Sequence, residues 1–180
     1  MFDLRWWYGL LILLVIGERV AELAVAGRNR RRALAAGGTE YGAGHYPIIV
    51  LLQVGLFAGS LFEVWLRDPD FHPLPGIGML VVLILAQALR WWCIGTLGPQ
   101  WNTRIIVVPG LGRRRGGPYR WIPHPNYVAV VAEGIALPLI GSAWITAIAF
   151  TAANSAVLGW RIRVENRALL RLTEATQPRP

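Results

Sequence analysis

The composition of this 180-residue chain excludes an ordinary soluble domain. Hydrophobic residues make up 54% of the chain and charged residues only 16%, whereas soluble domains carry about a quarter charged residues. The formal net charge of +8 comes from arginine, because the chain contains no lysine. Since these arginines lie between apolar segments, membrane orientation explains them better than nucleic-acid binding does. We therefore predict one integral-membrane domain over residues 1–180, with no nucleic-acid partner.

The first half of the chain contains three apolar segments, at residues 6–26, 47–66 and 77–94. Each is about as long as a helix that crosses the hydrocarbon core. The arginine-rich stretch between the first two, residues 28–46, is predicted to be a polar loop. Residues 1–94 are therefore expected to form a three-span, lipid-facing part.

Three ionisable groups in this half are candidate substrate contacts. Glu18 and Glu22 lie four residues apart, so they share one face of the first helix. They either reach the headgroups or face a polar cavity inside the bundle. His45 ends the loop and is either an acid–base group near the membrane surface or a solvated histidine.

The second half begins outside the hydrocarbon and then returns to it. Residues 105–108 form a short β-like run, and residues 127–140 and 142–160 are predicted to form a helical hairpin that turns at Gly141. The last helix is expected to continue beyond the membrane over residues 161–172. The predicted fold is all-α, a polytopic membrane protein with about five transmembrane helices and a cytoplasmic loop-and-helix region.

Five spans place three arginine-rich stretches on one side of the membrane. These stretches are residues 28–32, 104–120 and 161–171, and the other side keeps little positive charge. Because positive loops stay in the cytoplasm, we predict an outer N-terminus and a cytoplasmic C-terminus. The expected location is the bacterial inner membrane, with the functional groups facing the cytoplasm.

The stretch GGPYRWIPHPNY, residues 116–127, separates two strongly apolar segments. Pro125 suits the first position of a helix, which places His124 at or near the N-cap. The dipole and free backbone donors of a helix N-terminus favour an anionic ligand group. The alternative is a proline-stiffened membrane-entry loop with interfacial aromatic rings.

Charged groups follow on the last two helices. Glu133 lies seven residues after Asn126, on the same helix face and inside the membrane, and is a candidate catalytic residue. Arg161 and Glu165 are spaced i, i+4 on the last helix. They form either a surface ion pair, which contributes about 0.3–0.5 kcal/mol, or two contacts to a zwitterionic ligand.

These motifs together resemble the isoprenylcysteine carboxyl methyltransferase family, membrane enzymes that use S-adenosylmethionine and release S-adenosylhomocysteine. The similarity covers the chain from about residue 90 onward, and it implies that residues 95–180 bind the cofactor. It further implies that Glu165 holds the cofactor and that Arg161 contacts the acceptor and takes part in catalysis. The cofactor-binding residues that it implies are Gly117, Pro118, Tyr119, His124, Pro125, Asn126, Tyr127, Glu165 and Asn166.

The chain departs from the family pattern at Pro123, where the family usually has arginine, and at residues 111–114. Residues 18–22 and 40–47 also resemble a bacterial branch that methylates phenolic lipids such as alkylresorcinols and alkylpyrones. The expected partners are therefore membrane lipids and a lipophilic or prenylated acceptor.

Methyl transfer is an in-line displacement that needs orientation and desolvation, and we expect no metal. A carboxylate acceptor needs only a positioning cation such as Arg161. A phenol with a pKa near 10 needs a base, for which Glu18, Glu22, His45 and Glu133 are candidates. The alternatives are an NADPH-dependent membrane sterol or steroid reductase and a non-catalytic lipid-binding protein.

Overall fold

A computed structural model describes residues 4–41, 44, 46–69, 72–111, 114 and 116–176, without the side chains of residues 4, 166 and 168–176. Within these residues the chain forms five helices and a two-stranded ribbon. The helices are α1 (Leu4–Ala35), α2 (Tyr46–Arg67), α3 (Pro73–Leu97), α4 (Pro125–Ile140) and α5 (Trp144–Thr176). The strands are β1 (Thr39–Tyr41) and β2 (Ile105–Val107), paired antiparallel.

Helix α1 is longer than the sequence pattern predicted. Residues 28–35 continue the helix, so the predicted loop over residues 28–46 is wrong in its first part. Arginine, alanine and leucine dominate this stretch, and all three are strong helix formers. The helix ends only where Gly37 takes a φ of +79°, a conformation that glycine adopts without steric cost.

The helices run alternately up and down between two ends of the bundle. At one end Arg5 Nε donates to Asp68 Oδ1 over 2.8 Å, and the Tyr8 hydroxyl donates to the Leu137 carbonyl over 3.0 Å. We call this the far end. At the opposite end Asn29 Nδ2, on α1, donates to the carbonyl of Gly98, just after α3. We call this the site end, because α4 begins and α5 finishes there.

In the part of the chain that the structure describes, three helical segments are long and apolar enough to cross a membrane. They are α2, α3 with the turn that follows it, and residues Trp144–Glu165 of α5. Helix α4 is apolar but has 16 residues, and α1 carries charges in its middle. Many large apolar side chains also face outward, as lipid contact requires. The prediction of an all-α, polytopic membrane fold is confirmed.

Glu63 on α2 caps the first turn of α5. Its carboxylate accepts hydrogen bonds from the backbone N–H groups of Ile145 (3.1 Å) and Thr146 (2.8 Å) and from the Thr146 hydroxyl (2.8 Å). The first N–H groups of a helix have no partner within that helix, and a carboxylate there also interacts favourably with the helix dipole. Glu63 therefore fixes the start of α5 against the end of α2.

The buried apolar side chains form two main clusters. The cluster toward the far end includes Tyr8, Ile12, Leu56 and Leu137, whereas the one toward the site end consists of Ala26, Cys93, Ile94 and Trp101. Both clusters join α1 to α3, and Glu18, Arg19 and Glu22 lie between them along α1.

Gly134 allows α4 to approach α5 closely. A Cβ at this position would lie 2.1 Å from Phe150 Cε1, which is far inside van der Waals contact. We expect Gly134→Ala to lower the free energy of unfolding by about 1–3 kcal/mol through overpacking. The thermal unfolding midpoint in detergent measures this effect, and Gly134→Ala/Phe150→Leu should recover part of the loss.

Gly55→Ala is the matched control, because nothing lies within 4 Å of a Cβ at that helical position. It should leave stability unchanged or raise it by up to about 1 kcal/mol, because alanine favours the helix. Equal effects of the two substitutions would contradict the close approach of α4 to α5.

Candidate functional site

Two neighbouring cavities open at the site end and share one wall. The smaller has a volume of about 160 Å³ and the larger about 360 Å³. The smaller cavity adds mainly polar groups to the shared wall, and the larger adds mainly apolar ones. The shared wall consists of Leu97, Gln100, Asn102, Ile106, Val107, Tyr119 and Glu165.

The GGPYRWIPHPNY stretch builds one side of this wall. Its first part is a short 3₁₀ turn, Gly117–Arg120, and Gly117 has a φ of +52°. A Cβ on Gly117 would lie 2.3 Å from Thr96 Oγ1, so only glycine lets the turn pack against α3. This close contact brings Tyr119 against the site-end apolar cluster, and burial raises the pKa of its hydroxyl well above the ordinary value.

His124 is the N-cap residue of α4, and Pro125 occupies the first turn, as the sequence predicted. The imidazole makes no capping hydrogen bond. Instead it stacks on Tyr127, with 5.2 Å between ring centroids and 14° between the planes. The ring of His124 therefore lies in the lining of the smaller cavity.

A hydrogen-bond network joins α4 to α5 at the smaller cavity. The Tyr127 hydroxyl donates to Glu165 Oε2 and accepts a bond from Arg161 Nε over 3.0 Å. His124 Nδ1 lies 3.7 Å from Glu165 Oε1. Arg161 also donates from Nη2 to the carbonyl of Thr103 over 2.6 Å. Among the described residues no arginine pairs with Glu165, so the i, i+4 spacing of Arg161 and Glu165 is bridged by Tyr127 rather than closed directly.

Glu40 on β1 ties the two strands to the cavity wall. It accepts hydrogen bonds from Arg104 Nη1 (2.5 Å) and Arg30 Nη2 (3.2 Å), and Arg104 lies 4.2 Å from the centroid of the Tyr46 ring. Burial alone would raise the pKa of the Glu40 carboxyl, but the hydrogen bonds and charges of the two arginines together hold it below its ordinary value. Glu40 is therefore ionised at neutral pH and orients Arg104 in the cavity wall.

The hydrogen bonds from Arg30 and Arg104 to Glu40 predict that the stability of the protein depends on pH. The pKa of Glu40 in the folded state is below its unfolded value of about 4.3. The contribution of Glu40 to the free energy of unfolding is therefore complete above the unfolded pKa and declines as the pH falls through the folded pKa. We expect wild type to be more stable than Glu40→Gln near pH 7, with a difference that shrinks toward pH 3. Thermal unfolding midpoints against pH test this, and a constant difference would contradict it.

The structure brings together most of the predicted site residues. Tyr119, His124, Asn126, Tyr127, Arg161 and Glu165 all line the smaller cavity. Gly117, Pro118 and Pro125 do not line it but shape the turn and the start of α4. His45 lies outside the described residues, as does the side chain of Asn166.

The three remaining candidates lie apart from both cavities. Glu22 and Glu133 belong to a buried group of charges in the middle of the bundle that we call the ion layer: Arg19, Glu22, Arg90 and Glu133. Arg19 contacts Glu22 (2.5 Å) and Glu133, and Arg90 contacts Glu133 and Glu22 (3.3 Å). Each side chain is at most 13% exposed. A buried charge is destabilising without a counter-charge, and each of these four has one within the layer.

Glu18 lies at the edge of this layer. It is half-buried on α1 and accepts a hydrogen bond from Gln87 Nε2 on α3 over 2.5 Å. Gln53 on α2 likewise approaches Glu133, with 3.4 Å between Nε2 and Oε1. Side chains from four helices therefore meet here, and the assignments of Glu18 and Glu22 to substrate and Glu133 to catalysis stay predictions.

The ion layer predicts a structural role for Glu133. Glu133→Leu leaves two buried arginines without one of their carboxylates, so we expect a loss of about 3–5 kcal/mol in the free energy of unfolding. Thermal unfolding in detergent measures it. Asp68→Asn at the far end is the control, because that exposed carboxylate should contribute less than about 1 kcal/mol. A Glu133→Leu protein with wild-type stability that has lost only its activity would instead support the catalytic assignment.

Sequence reasoning missed a second group of lining residues. Trp101, Asn102 and Arg104 follow α3 and line the smaller cavity, and Arg32 and Ala33 of α1 line the larger one. The polar run after Gly98-Pro99 signalled the exit from the membrane but not a role in a site. The sequence did not predict that α1 lines the larger cavity, because residues 28–35 were predicted to be part of a loop.

The chain is similar to a known protein family and to bacterial proteins. The family model described as "Isoprenylcysteine carboxyl methyltransferase (ICMT) family" matches residues 79–171, which include α4, most of α5 and the loop between α3 and α4. Uncharacterized protein YpbQ of Bacillus subtilis (strain 168) is 37% identical over 165 residues, 90% of this chain and 96% of that one. An uncharacterized protein of Haemophilus influenzae is 25% identical over 159 residues, 88% of this chain and 92% of that one. No solved structure gives a significant match.

Proposed function

Because the chain belongs to the isoprenylcysteine carboxyl methyltransferase family of membrane methyltransferases, we propose that it is an S-adenosylmethionine-dependent O-methyltransferase with a lipophilic acceptor. The acceptor is a prenylcysteine-type carboxylate or a phenolic lipid of the alkylresorcinol or alkylpyrone kind. The resemblance in residues 18–22 and 40–47 supports the second class.

One observation carries the cofactor assignment: Glu165 lines both cavities and has no arginine partner among the described residues. A partly buried carboxylate without a guanidinium partner suits a cationic ligand, because an opposite charge within about 4–6 Å stabilises its ionised form. S-adenosylmethionine carries a sulfonium and an ammonium group, so the residues present fit it. When bound, it supplies an electrophilic methyl group.

The residues around Glu165 hold and orient the reactants. Glu165 binds positive charge of the cofactor, and the Tyr127 hydroxyl fixes the carboxylate by donating to Oε2. Tyr119 keeps its proton, so it contributes an aromatic wall and a hydroxyl donor rather than a base. The apolar part of the shared wall keeps water away from the methyl-transfer path, where alignment and desolvation supply most of the acceleration.

Arg161 positions the acceptor oxygen. Its guanidinium already donates to Tyr127 and to Thr103, which fixes its plane while leaving its charge without a carboxylate partner in the described chain. A carboxylate acceptor needs nothing further. A phenolic acceptor must lose a proton, and His124 is the lining side chain suited to accept it, because Glu165 Oε1 lies 3.7 Å from Nδ1 and stabilises the protonated ring.

We place the site end in the cytoplasm. Exposed arginines concentrate there, at the ends of α1 and α5 and in the loop before α4, as the positive-inside rule requires. With bacterial relatives of similar length, this supports the inner membrane with an outer N-terminus. The exposed arginines of this end are Arg28, Arg31, Arg32, Arg114, Arg120, Arg163 and Arg167.

We also assign most of the cofactor site to residues 95–180, because this part of the chain supplies all fourteen residues that line the smaller cavity. Residues 1–94 supply one wall of the larger cavity through Arg32, Ala33 and Ala36. This wall is the natural place for the apolar part of an acceptor, whose chain then reaches the membrane.

Labelled methyl transfer from S-adenosylmethionine tests the proposal. The acceptor panel contains prenylcysteine analogues, alkylresorcinols, alkylpyrones and fatty acids, and the methylated oxygen is identified in the product. We expect Glu165→Gln to lower kcat/KM about 10- to 100-fold, because a charged hydrogen-bonding group contributes about 1.5–3 kcal/mol. Asp68→Asn at the far end is the matched carboxylate control and should retain wild-type activity.

Thermal stabilisation by ligands provides an independent readout. S-adenosylhomocysteine should stabilise the wild-type protein and NADPH should not. The reverse result would favour a sterol-type reductase. If no acceptor is labelled and S-adenosylhomocysteine does not stabilise the protein, the proposed function is wrong.

A further inference from the structure

Two residues that line the smaller cavity each have a buried polar atom with no hydrogen-bond partner among the described residues. The Trp101 indole Nε1–H is a donor, and the Asn126 amide Oδ1 is an acceptor. Each residue lines the same cavity but lies on a different segment, Trp101 after α3 and Asn126 in the first turn of α4. Trp101 is only 4% exposed, so water reaches its ring poorly.

An unpaired buried polar atom costs about 1–3 kcal/mol, and folded proteins leave few of them. Most of the other such atoms in the described chain belong to the ion layer and Gln87 beside it, where charged neighbours compensate them. Trp101 Nε1 and Asn126 Oδ1 lie outside this layer, and neither accepts or donates a hydrogen bond within the described chain. A ligand that offers an acceptor to Trp101 and a donor to Asn126 would satisfy both.

Trp101 is also held in place by other parts of the chain. Asn29 on α1 is buried and donates from Nδ2 to the carbonyls of Trp101 (2.9 Å) and Gly98 (3.0 Å). Arg161 on α5 holds the carbonyl of Thr103, two residues further along. These bonds fix the backbone around Trp101, and its indole packs in the site-end apolar cluster. The ring is therefore held before a ligand arrives, which reduces the entropy lost on binding.

We propose that Trp101 Nε1–H and Asn126 Oδ1 form a donor–acceptor pair that recognises an edge of the cofactor with a hydrogen-bond acceptor beside an N–H donor. This inference rests on the proposed function and adds Trp101 as a specificity-determining residue, with Asn29 as its positioning residue. Two parts of S-adenosylhomocysteine have this chemistry. One is the adenine edge with N1 and the 6-amino group, and the other is the amino-acid end with its carboxylate and ammonium.

The test measures Kd by isothermal titration with purified full-length protein. The probes are S-adenosylhomocysteine, S-inosylhomocysteine, whose base exchanges the donor and acceptor positions, and 5′-methylthioadenosine, which lacks the amino-acid end. The variants are Trp101→Phe and Asn126→Leu, with Trp91→Phe on the exposed face of α3 as the control. Each site variant should weaken S-adenosylhomocysteine binding about 5- to 13-fold, as expected for one hydrogen bond of about 1–1.5 kcal/mol, and Trp91→Phe should not.

The probes distinguish the two edges. If the pair reads adenine, the site variants weaken S-adenosylhomocysteine and methylthioadenosine equally, and wild type binds S-inosylhomocysteine poorly. If it reads the amino-acid end, the variants weaken both homocysteine compounds equally and leave methylthioadenosine unaffected.

Three results would overturn the proposal. The first is wild-type affinity for S-adenosylhomocysteine in both site variants, which leaves the proposed function intact. The second is equal wild-type affinity for all three probes, a readout that does not depend on whether the variants fold. The third is no binding of S-adenosylhomocysteine to wild type, which would overturn the proposed function as well.

Discussion

The pairing of buried charges in the middle of the bundle is the constraint on which the rest of the structure depends. A charged side chain in hydrocarbon is costly unless a counter-charge meets it, so Arg19, Glu22, Arg90 and Glu133 fix the mutual height and rotation of three helices. The apolar clusters on either side of the layer pack less directionally, so they constrain the height and rotation of the helices less. The layer therefore determines which residues of α1, α3 and α4 arrive together at the site end.

The site combines short polar segments that rigid helices hold from several sides. Tyr127 connects α4 to α5, Asn29 connects α1 to the turn after α3, and Glu40 connects the ribbon to Arg104. These contacts lie at the site-end termini of the long helices or in the segments that follow them. The chemistry is thus concentrated where the backbone leaves the helices, and the spans provide the fixed frame that such a site needs.

The sequence predicted the parts of this structure that depend on local chemistry. Hydrophobic segment length predicted the spans, and Pro125 predicted the start of α4 with His124 at its N-cap. The sequence did not predict the contacts between distant segments, because a local pattern does not specify which residues face each other in the folded chain. Thr39–Tyr41 gave no strand signal without β2 beside it, and Trp101 showed no sign of its unpaired indole nitrogen.

Helix α5 contains one of the segments long and apolar enough to cross a membrane, Trp144–Glu165. Glu63 holds the first turn of this segment, and Glu165 is its last residue. About twenty residues separate these two points, which at 1.5 Å per residue is roughly 30 Å of continuous rod. Over that length a tilt of about two degrees displaces the carboxylate by roughly 1 Å. A small change of angle where Glu63 contacts the first turn of α5 therefore shifts the Glu165 carboxylate at the site end by a distance that is large for a hydrogen bond.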